Sequence, residues 1–224
     1  MLNKITGSGF TLAEVLLTLT IIGIIAAMTI PALMNSTNKI ENVVALKKAY
    51  STLMQANLMI IAENGGDITS ALSGATTPND FANVFIPMLN VVKNCGTNND
   101  TCECPTGYKY MNGAPWGSLS TGGYSTILTN DGMTYAFYLR SANCTNNYSS
   151  SSIAPLNNTC GIIYVDINGP NKGPSMQGRD LFYFVATKTG IYPAGAYADI
   201  NPGNCSTNGT YCTSKVLMES AMNY

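Results

Sequence analysis

Three side chains that carry oxygen ligands, Asp166, Asn168 and Asp180, flank a short segment rich in glycine and proline. Carboxylate and amide oxygens are the ligands that Ca²⁺ prefers in proteins, so one hypothesis is a structural calcium site on this loop. The alternative is a turn, in which the same side chains accept hydrogen bonds from the local backbone. Only two of the three are carboxylates, which excludes an EF-hand. The sequence leaves both alternatives open.

Other residues of the types used in catalysis are scarce. Histidine is absent from all 224 residues, which removes the usual general base and the commonest metal ligand. Only 10% of the residues are charged and the formal net charge is −1, so the chain as a whole lacks the basic character typical of nucleic-acid binding. We therefore expect no enzyme activity, no catalytic residues, no nucleic-acid partner and no cofactor other than the possible calcium.

Seven cysteines, all beyond residue 94, indicate an oxidising compartment. Cys144 and Cys160 bracket a polar loop between two predicted strands, so an antiparallel pairing of those strands would bring them together as a disulfide. Cys205 and Cys212 are spaced to close a small loop near the C-terminal end. The other three leave one thiol unpaired, and the sequence does not say which: Cys95, Cys102 and Cys104. A zinc site is disfavoured by the Cys-x-Cys spacing and by the absence of histidine.

A long apolar segment lies near the N-terminal end of the sequence. No charge occurs between Glu14 and Lys39, and residues 15–34 provide about the 20 apolar residues that a helix needs to cross a bilayer. The segment is longer than the apolar region of a cleaved secretory signal, and it lacks an Ala-x-Ala cleavage site. A plain signal anchor would leave Glu14 unexplained, because a carboxylate in the membrane costs about 2.5–3.5 kcal/mol on insertion scales. We therefore expect Glu14 to have a partner.

The residues Gly9-Phe10-Thr11-Leu12-Ala13-Glu14 resemble the processing site of type IV pilins and pseudopilins. The resemblance implies that a prepilin peptidase cleaves between Gly9 and Phe10 and methylates the new amine of Phe10. It also implies that Glu14 pairs with that cationic amine on an adjacent subunit and sets the assembly register. Two further residues match positions where pilins carry a helix-weakening glycine and proline, and we expect local unwinding between them: Gly23 and Pro31.

The same resemblance implies a homo-oligomeric helical filament, with the prepilin peptidase and an inner-membrane assembly machinery as partners. The precursor would lie in the bacterial inner membrane as a single-pass protein with its N-terminus inside, and the mature filament would be extracellular or periplasmic. One alternative is a pseudopilin of a type II secretion system. Another, from a different class, is a monomeric membrane-anchored binding head.

The elements that must position these residues begin with one long helix. Apolar residues continue at spacings of three and four beyond Pro31, and Asn64-Gly65-Gly66 predicts the end of the helix. The expected stripe consists of Ile40, Val43, Val44, Leu46, Tyr50, Leu53, Met54, Leu58 and Ile61. Thr77-Pro78-Asn79-Asp80 predicts the cap of a second helix. Its apolar positions are Phe81, Val84, Phe85, Met88, Leu89 and Val92.

Four strands are predicted in the remainder of the chain, at residues 124–129, 133–139, 161–167 and 181–187. The first two flank Asn130-Asp131-Gly132, a strong hairpin signal in which Asp131 is a turn residue. The expected fold class is α+β and pilin-like, with a long N-terminal helix packed on a roughly four-stranded antiparallel sheet with disulfide-stapled loops. The expected division is a leader at 1–9, the helix at 10–64, with a membrane and assembly segment at about 12–34, and an exported head at 65–224.

Overall fold

The computed structural model describes residues 9–97, 102, 104, 107–119, 123–148, 155–196 and 203–224. Residues 1–8 of the expected leader lie outside the described residues. The chain forms two compact units, one that ends at Ile40 and one that comprises Glu41–Tyr224. The secondary structure is α+β, as the sequence predicts.

Helix α1, Leu12–Glu63, contains the apolar segment in its first half. The part Leu12–Pro31 is a 20-residue stretch with a mean hydropathy of 2.2, and none of it is buried within the chain. By length and composition alone, this helix is long and apolar enough to cross a membrane, and a signal sequence near the N-terminal end meets the same criteria. The helix ends where the sequence predicts, because Gly65 has a φ of 81° and the N–H of Gly66 donates to the carbonyl of Ile61.

Within the second unit, α1 buries a narrower face than the apolar stripe predicts. The buried residues repeat every three or four positions and are Val43, Leu46, Ala49, Leu53, Ala56, Asn57 and Ile60. Val44 and Leu58, which the stripe includes, are 61% and 59% exposed. The prediction was wrong at these two positions, because apolar residues lie on more than one face of the helix and only one face contacts the sheet.

In the part of the chain that the structure describes, the main sheet has six antiparallel strands rather than the four expected, in the order β1-β4-β5-β6-β7-β8. The four predicted strands form its centre as β4 (Ser125–Thr129), β5 (Thr134–Leu139), β6 (Thr159–Asp166) and β7 (Leu181–Thr187). The two missed strands are both edges, β1 (Val91–Gly96) and β8 (Ile191–Pro193). Edge strands bury little, so their sequences do not show the apolar pattern that identifies a central strand. Val92, assigned to the second helix from the sequence, lies in β1 and is 67% exposed.

The shorter elements complete the second unit. Helix α2, Pro78–Phe85, has the predicted cap, with Thr77 and Asp80 exchanging hydrogen bonds in a capping box. It continues only as a 3₁₀ turn over Ile86–Met88, which has Pro87 in it. A separate two-stranded sheet pairs β2 (Tyr108–Lys109) with β3 (Pro115–Gly117), and helices α3 (Gly203–Asn208) and α4 (Cys212–Glu219) end the chain.

The core lies between the central strands and the two helices α1 and α2. Tyr50 of α1 stacks on Phe184 of β7 with ring centroids 5.6 Å apart, and Phe81 of α2 meets Phe137 of β5 edge to face at 5.8 Å. Glycine is required at position 161, because a Cβ there would lie 2.5 Å from the Phe81 ring and from the Tyr138 carbonyl oxygen. These contacts fix the sheet against both helices.

Candidate functional site

The carboxylate of Glu14 lies in the first turn of α1 and is hydrogen-bonded to its own helix terminus. Its Oε2 accepts from the backbone N–H of Thr11 and from the Thr11 hydroxyl, each at 2.8 Å. In return, the N–H of Glu14 donates to Thr11 Oγ1 at 3.2 Å, and the N–H of Val15 donates to the Thr11 carbonyl. This is a capping box, with Thr11 as the N-cap and Glu14 at the third helical position.

The cap at Thr11 was not identified from the sequence, although the sequence contains its signal. Thr-x-x-Glu immediately before an apolar helical run is the sequence signature of a capping box. The negative charge of Glu14 is also favourable near a helix N-terminus, where the unsatisfied N–H groups carry partial positive charge. The structure therefore gives Glu14 a role within its own helix in addition to the expected role between subunits.

The other residues of the expected processing and assembly site lie on the same segment. Gly9 and Phe10 precede the helix, and the Phe10 side chain is 88% exposed. Gly23 and Pro31 both lie inside α1, which stays helical through both positions. The expected local unwinding between them is therefore wrong for this structure, in which α1 is continuous from Leu12 to Glu63. A shallow groove is lined by Phe10, Glu14, Val15 and Thr18.

The structure contains the two disulfides expected from the sequence, Cys144–Cys160 and Cys205–Cys212. The first joins the segment after β5 to the start of β6, and it exists because these strands pair antiparallel with Leu139 opposite Gly161. The third pair is Cys95–Cys102, which the sequence did not single out. Cys104 is the free cysteine of the described residues, and burial raises the pKa of its thiol to about 11. It is therefore protonated and unreactive at neutral pH.

Asp166, at the end of β6, is completely buried and fully hydrogen-bonded. Its Oδ2 accepts from the hydroxyl of the buried Tyr108 at 2.6 Å, and its Oδ1 accepts from the N–H groups of Asn168 and Gly169. Burial raises the pKa of Asp166 to about 7, in spite of the opposing hydrogen bond from Tyr108. Tyr108 was not identified from the sequence, and no local pattern links it to a residue 58 positions away.

Asp180 closes the other end of the same loop. Its Oδ2 accepts from the N–H of Ser175 at 2.6 Å and its Oδ1 from the N–H of Met176 at 2.5 Å. Asn168 donates its amide to the carbonyl of Gly173 at 3.1 Å and more distantly to Asp180 Oδ2, while its Oδ1 has no hydrogen-bond partner. The three side chains thus converge as expected. Every carboxylate oxygen of Asp166 and Asp180 accepts a hydrogen bond from the chain itself, as the turn hypothesis predicts. Among the described residues, no group of three or more His, Cys, Asp or Glu side chains could hold a metal ion.

Because burial raises the pKa of Asp166, we expect its contribution to the stability of the folded protein to fall as the pH rises. An unfolded aspartate has a pKa of about 4. Between about pH 4 and pH 7, this residue is therefore deprotonated in the unfolded state and still protonated in the folded state. The contribution is fully present below pH 4 and is lost by about pH 7, with a total of the order of 4 kcal/mol. Urea unfolding in calcium-free buffer across this range measures it. Asp166→Asn should flatten the profile, and a wild-type stability that rises over the same range would contradict the expectation.

The calcium hypothesis makes a separate prediction for the same loop. If Asp166, Asn168 and Asp180 bind Ca²⁺, millimolar calcium should raise the melting temperature of the wild type. Asp180→Asn should abolish that shift. Asp67→Asn is the control and should leave the shift intact, because Asp67 contacts Thr69 and Lys188 and lies outside this loop. An unchanged melting temperature of the wild type at millimolar calcium would remove the hypothesis and leave the turn.

Comparison with family models, with curated proteins and with solved structures found no match. The function is therefore argued from the residues and geometry above.

Proposed function

We propose that the chain is a structural subunit of a type IV pilus-like filament, processed by a prepilin peptidase between Gly9 and Phe10 and polymerised through its N-terminal helix. The observation that carries the proposal is the carboxylate of Glu14, which lies in the first turn of α1, immediately after a Gly-Phe-Thr-Leu-Ala sequence, and is followed by no other charge until Lys39. A charge at this depth is costly, so a functional reason for it is expected.

The capping box supports a two-stage role for Glu14. In a single subunit, the carboxylate has the Thr11 N–H and hydroxyl as partners, so it is not left without hydrogen bonds in the membrane. These donors are neutral, so they do not compensate the negative charge. The amine of a cleaved Phe10 on a neighbouring subunit supplies the missing cation, and in a low-dielectric medium that pairing favours association.

The remainder of the chain supports the same proposal. The second unit is held by three disulfides among the described residues, which suits an exported head. Much of its surface is uncharged, since only 10% of the chain is Asp, Glu, Lys or Arg. Such surfaces allow identical subunits to pack side by side without strong repulsion.

A pseudopilin of a type II secretion system remains the first alternative, because it shares the processing site and the helix. The presence of extracellular fibres distinguishes the two. A monomeric membrane-anchored binding head is the second alternative, and it predicts neither cleavage nor assembly.

Mass spectrometry of the intact protein, expressed in a bacterium that has a prepilin peptidase and purified from its membranes, tests the processing step. The expected species is a mature chain of 215 residues, since 224 − 9 = 215, that begins at N-methylated Phe10. A Gly9→Val variant is the control and should stay uncleaved. An intact Met1 on the wild-type chain would favour the plain anchor and contradict the proposal.

A further inference from the structure

The peptide bond between Gly9 and Phe10 lies in non-helical backbone. Helix α1 begins at Leu12, and the three residues before it do not belong to the helix. Gly9 and Thr11 are exposed, and the side chain of Phe10 is 88% exposed. A Cβ added at Gly9 would meet no described part of the chain within 4 Å. Within the described residues, this bond is therefore accessible from outside.

The capping box of Thr11 and Glu14 determines where the helix begins. The N–H and hydroxyl of Thr11 donate to the Glu14 carboxylate, and the N–H of Glu14 donates to the Thr11 hydroxyl oxygen. An N-cap residue typically has non-helical backbone angles, so the cap excludes Thr11 and the residues before it from the helix. Only Phe10 lies between the cap and the Gly9–Phe10 bond.

Loss of the box would favour a longer helix. The first N–H groups of an α-helix have no partner within the helix, and an apolar medium offers them none. If the helix continued by one more turn, the N–H groups of Thr11 and Glu14 would donate to the carbonyls four residues earlier. These carbonyls belong to Gly7 and Phe10. The longer helix would therefore contain the Gly9–Phe10 bond.

A peptide bond within a helix is a poor protease substrate, because the helix must open locally before the bond can enter an active site. We infer that Thr11 is a positioning residue for processing, whose cap stops the helix before Phe10 and keeps the Gly9–Phe10 bond available to the prepilin peptidase. The inference rests on the proposed processing and adds to it the residue that controls access to the bond.

Cleavage of the purified full-length precursor by a detergent-solubilised prepilin peptidase tests this role. Thr11→Val keeps the shape of threonine but removes the cap, which shifts the balance between the two backbone forms by up to about fivefold. Its kcat/KM should fall about two- to fivefold with little change in kcat, because a smaller fraction of the substrate is competent to bind. Thr11→Ala should fall at least as far, since alanine is a poor cap and the best helix former.

Three variants keep the cap and serve as controls. Thr11→Ser and Thr11→Asn differ from threonine in size and shape, but both are N-caps of at least equal strength, so both should be cleaved at the wild-type rate. Thr20→Val removes a hydroxyl that donates to the Leu17 carbonyl at 2.8 Å inside the same helix. It should also be cleaved at the wild-type rate.

Carbon-13 chemical shifts of the Gly9 and Phe10 carbonyls measure the backbone conformation without the peptidase. The full-length protein is labelled in a strain that lacks a prepilin peptidase and is studied in detergent micelles. The wild type should show non-helical shifts at both carbonyls, and Thr11→Val should move both toward helical values. Thr11→Ser and Thr20→Val should match the wild type.

Equal kcat/KM for the wild type and Thr11→Val would overturn the inference and leave the proposed function intact. Slow cleavage of Thr11→Ser and Thr11→Asn would also overturn it, because the peptidase would then recognise the threonine side chain itself. Unchanged carbonyl shifts in Thr11→Val, or a comparable loss of cleavage in Thr20→Val, would contradict it as well. A wild type that the peptidase does not cleave would overturn the proposed function and the inference with it.

Discussion

Glu14→Gln is expected to reduce filament yield at least about tenfold, while membrane insertion and cleavage after Gly9 stay at the wild-type level. The substitution removes the charge but keeps the capping box, because glutamine at the third helical position accepts the same hydrogen bond from the N-cap N–H. An ion pair that offsets an insertion penalty of about 2.5–3.5 kcal/mol is then missing at every subunit contact. Filament yield is measured by shearing and electron microscopy, and processing by the mass of the N-terminal peptide.

A second variant separates the two roles of Glu14. Thr11→Val removes the hydroxyl of the cap and leaves the charge, at a cost of about 1 kcal/mol to the helix terminus. It should therefore assemble far better than Glu14→Gln. If Thr11→Val fails to assemble while Glu14→Gln assembles normally, the cap and not the charge is the functional element, and the proposed pairing is wrong.

Replacing Cys144 and Cys160 together by alanine is expected to lower the free energy of unfolding by about 3 kcal/mol. The two cysteines are 16 residues apart in the sequence. The disulfide lowers the conformational entropy of that loop in the unfolded chain and so stabilises the folded state. Both cysteines are buried in the main core, so some packing is lost as well. Urea unfolding of the oxidised wild type and the double variant measures the difference.

Cys104→Ala is the matched control for the disulfide. It removes a buried sulfur that belongs to no disulfide, so only packing is affected and the loss should be about 1 kcal/mol. Reduction of the wild type with dithiothreitol breaks all three disulfides of the described residues, so it should lower the stability at least as much as the double alanine variant does. Equal losses in Cys104→Ala and in the double variant would show that packing, and not the covalent link, accounts for the effect.

Local signals predicted much of this protein, because their physics acts within a few residues. The glycines after Glu63, the Thr77 cap and the hairpin at Asn130-Asp131-Gly132 each involve neighbours in sequence, and the structure has all three. Cys144 and Cys160 were predictable for a related reason, since two adjacent strands place their flanking residues together. The Thr11 cap is equally local, because Thr11 and Glu14 are three residues apart.

The sequence did not predict which side chains of α1 are buried. It places Leu58 in the apolar stripe and gives no reason to place Asn57 in the core, yet Leu58 is 59% exposed and Asn57 only 1%. Apolarity does not specify which face of a helix the sheet will cover, because that depends on contacts with strands far along the chain. The edge strands were missed for the same reason: an edge is defined by its neighbour and not by its own residues.

The loop at residues 167–180 shows most clearly which features the sequence predicts and which depend on the tertiary structure. The residue types alone identified Asp166, Asn168 and Asp180 as oxygen donors on a turn, because carboxylates and amides near glycine have few other uses in a loop. Only the tertiary structure brings the Tyr108 hydroxyl to Asp166, a residue 58 positions away in the sequence. Residues distant in sequence meet because strands pair and helices pack across the whole unit, and no local pattern encodes those distances.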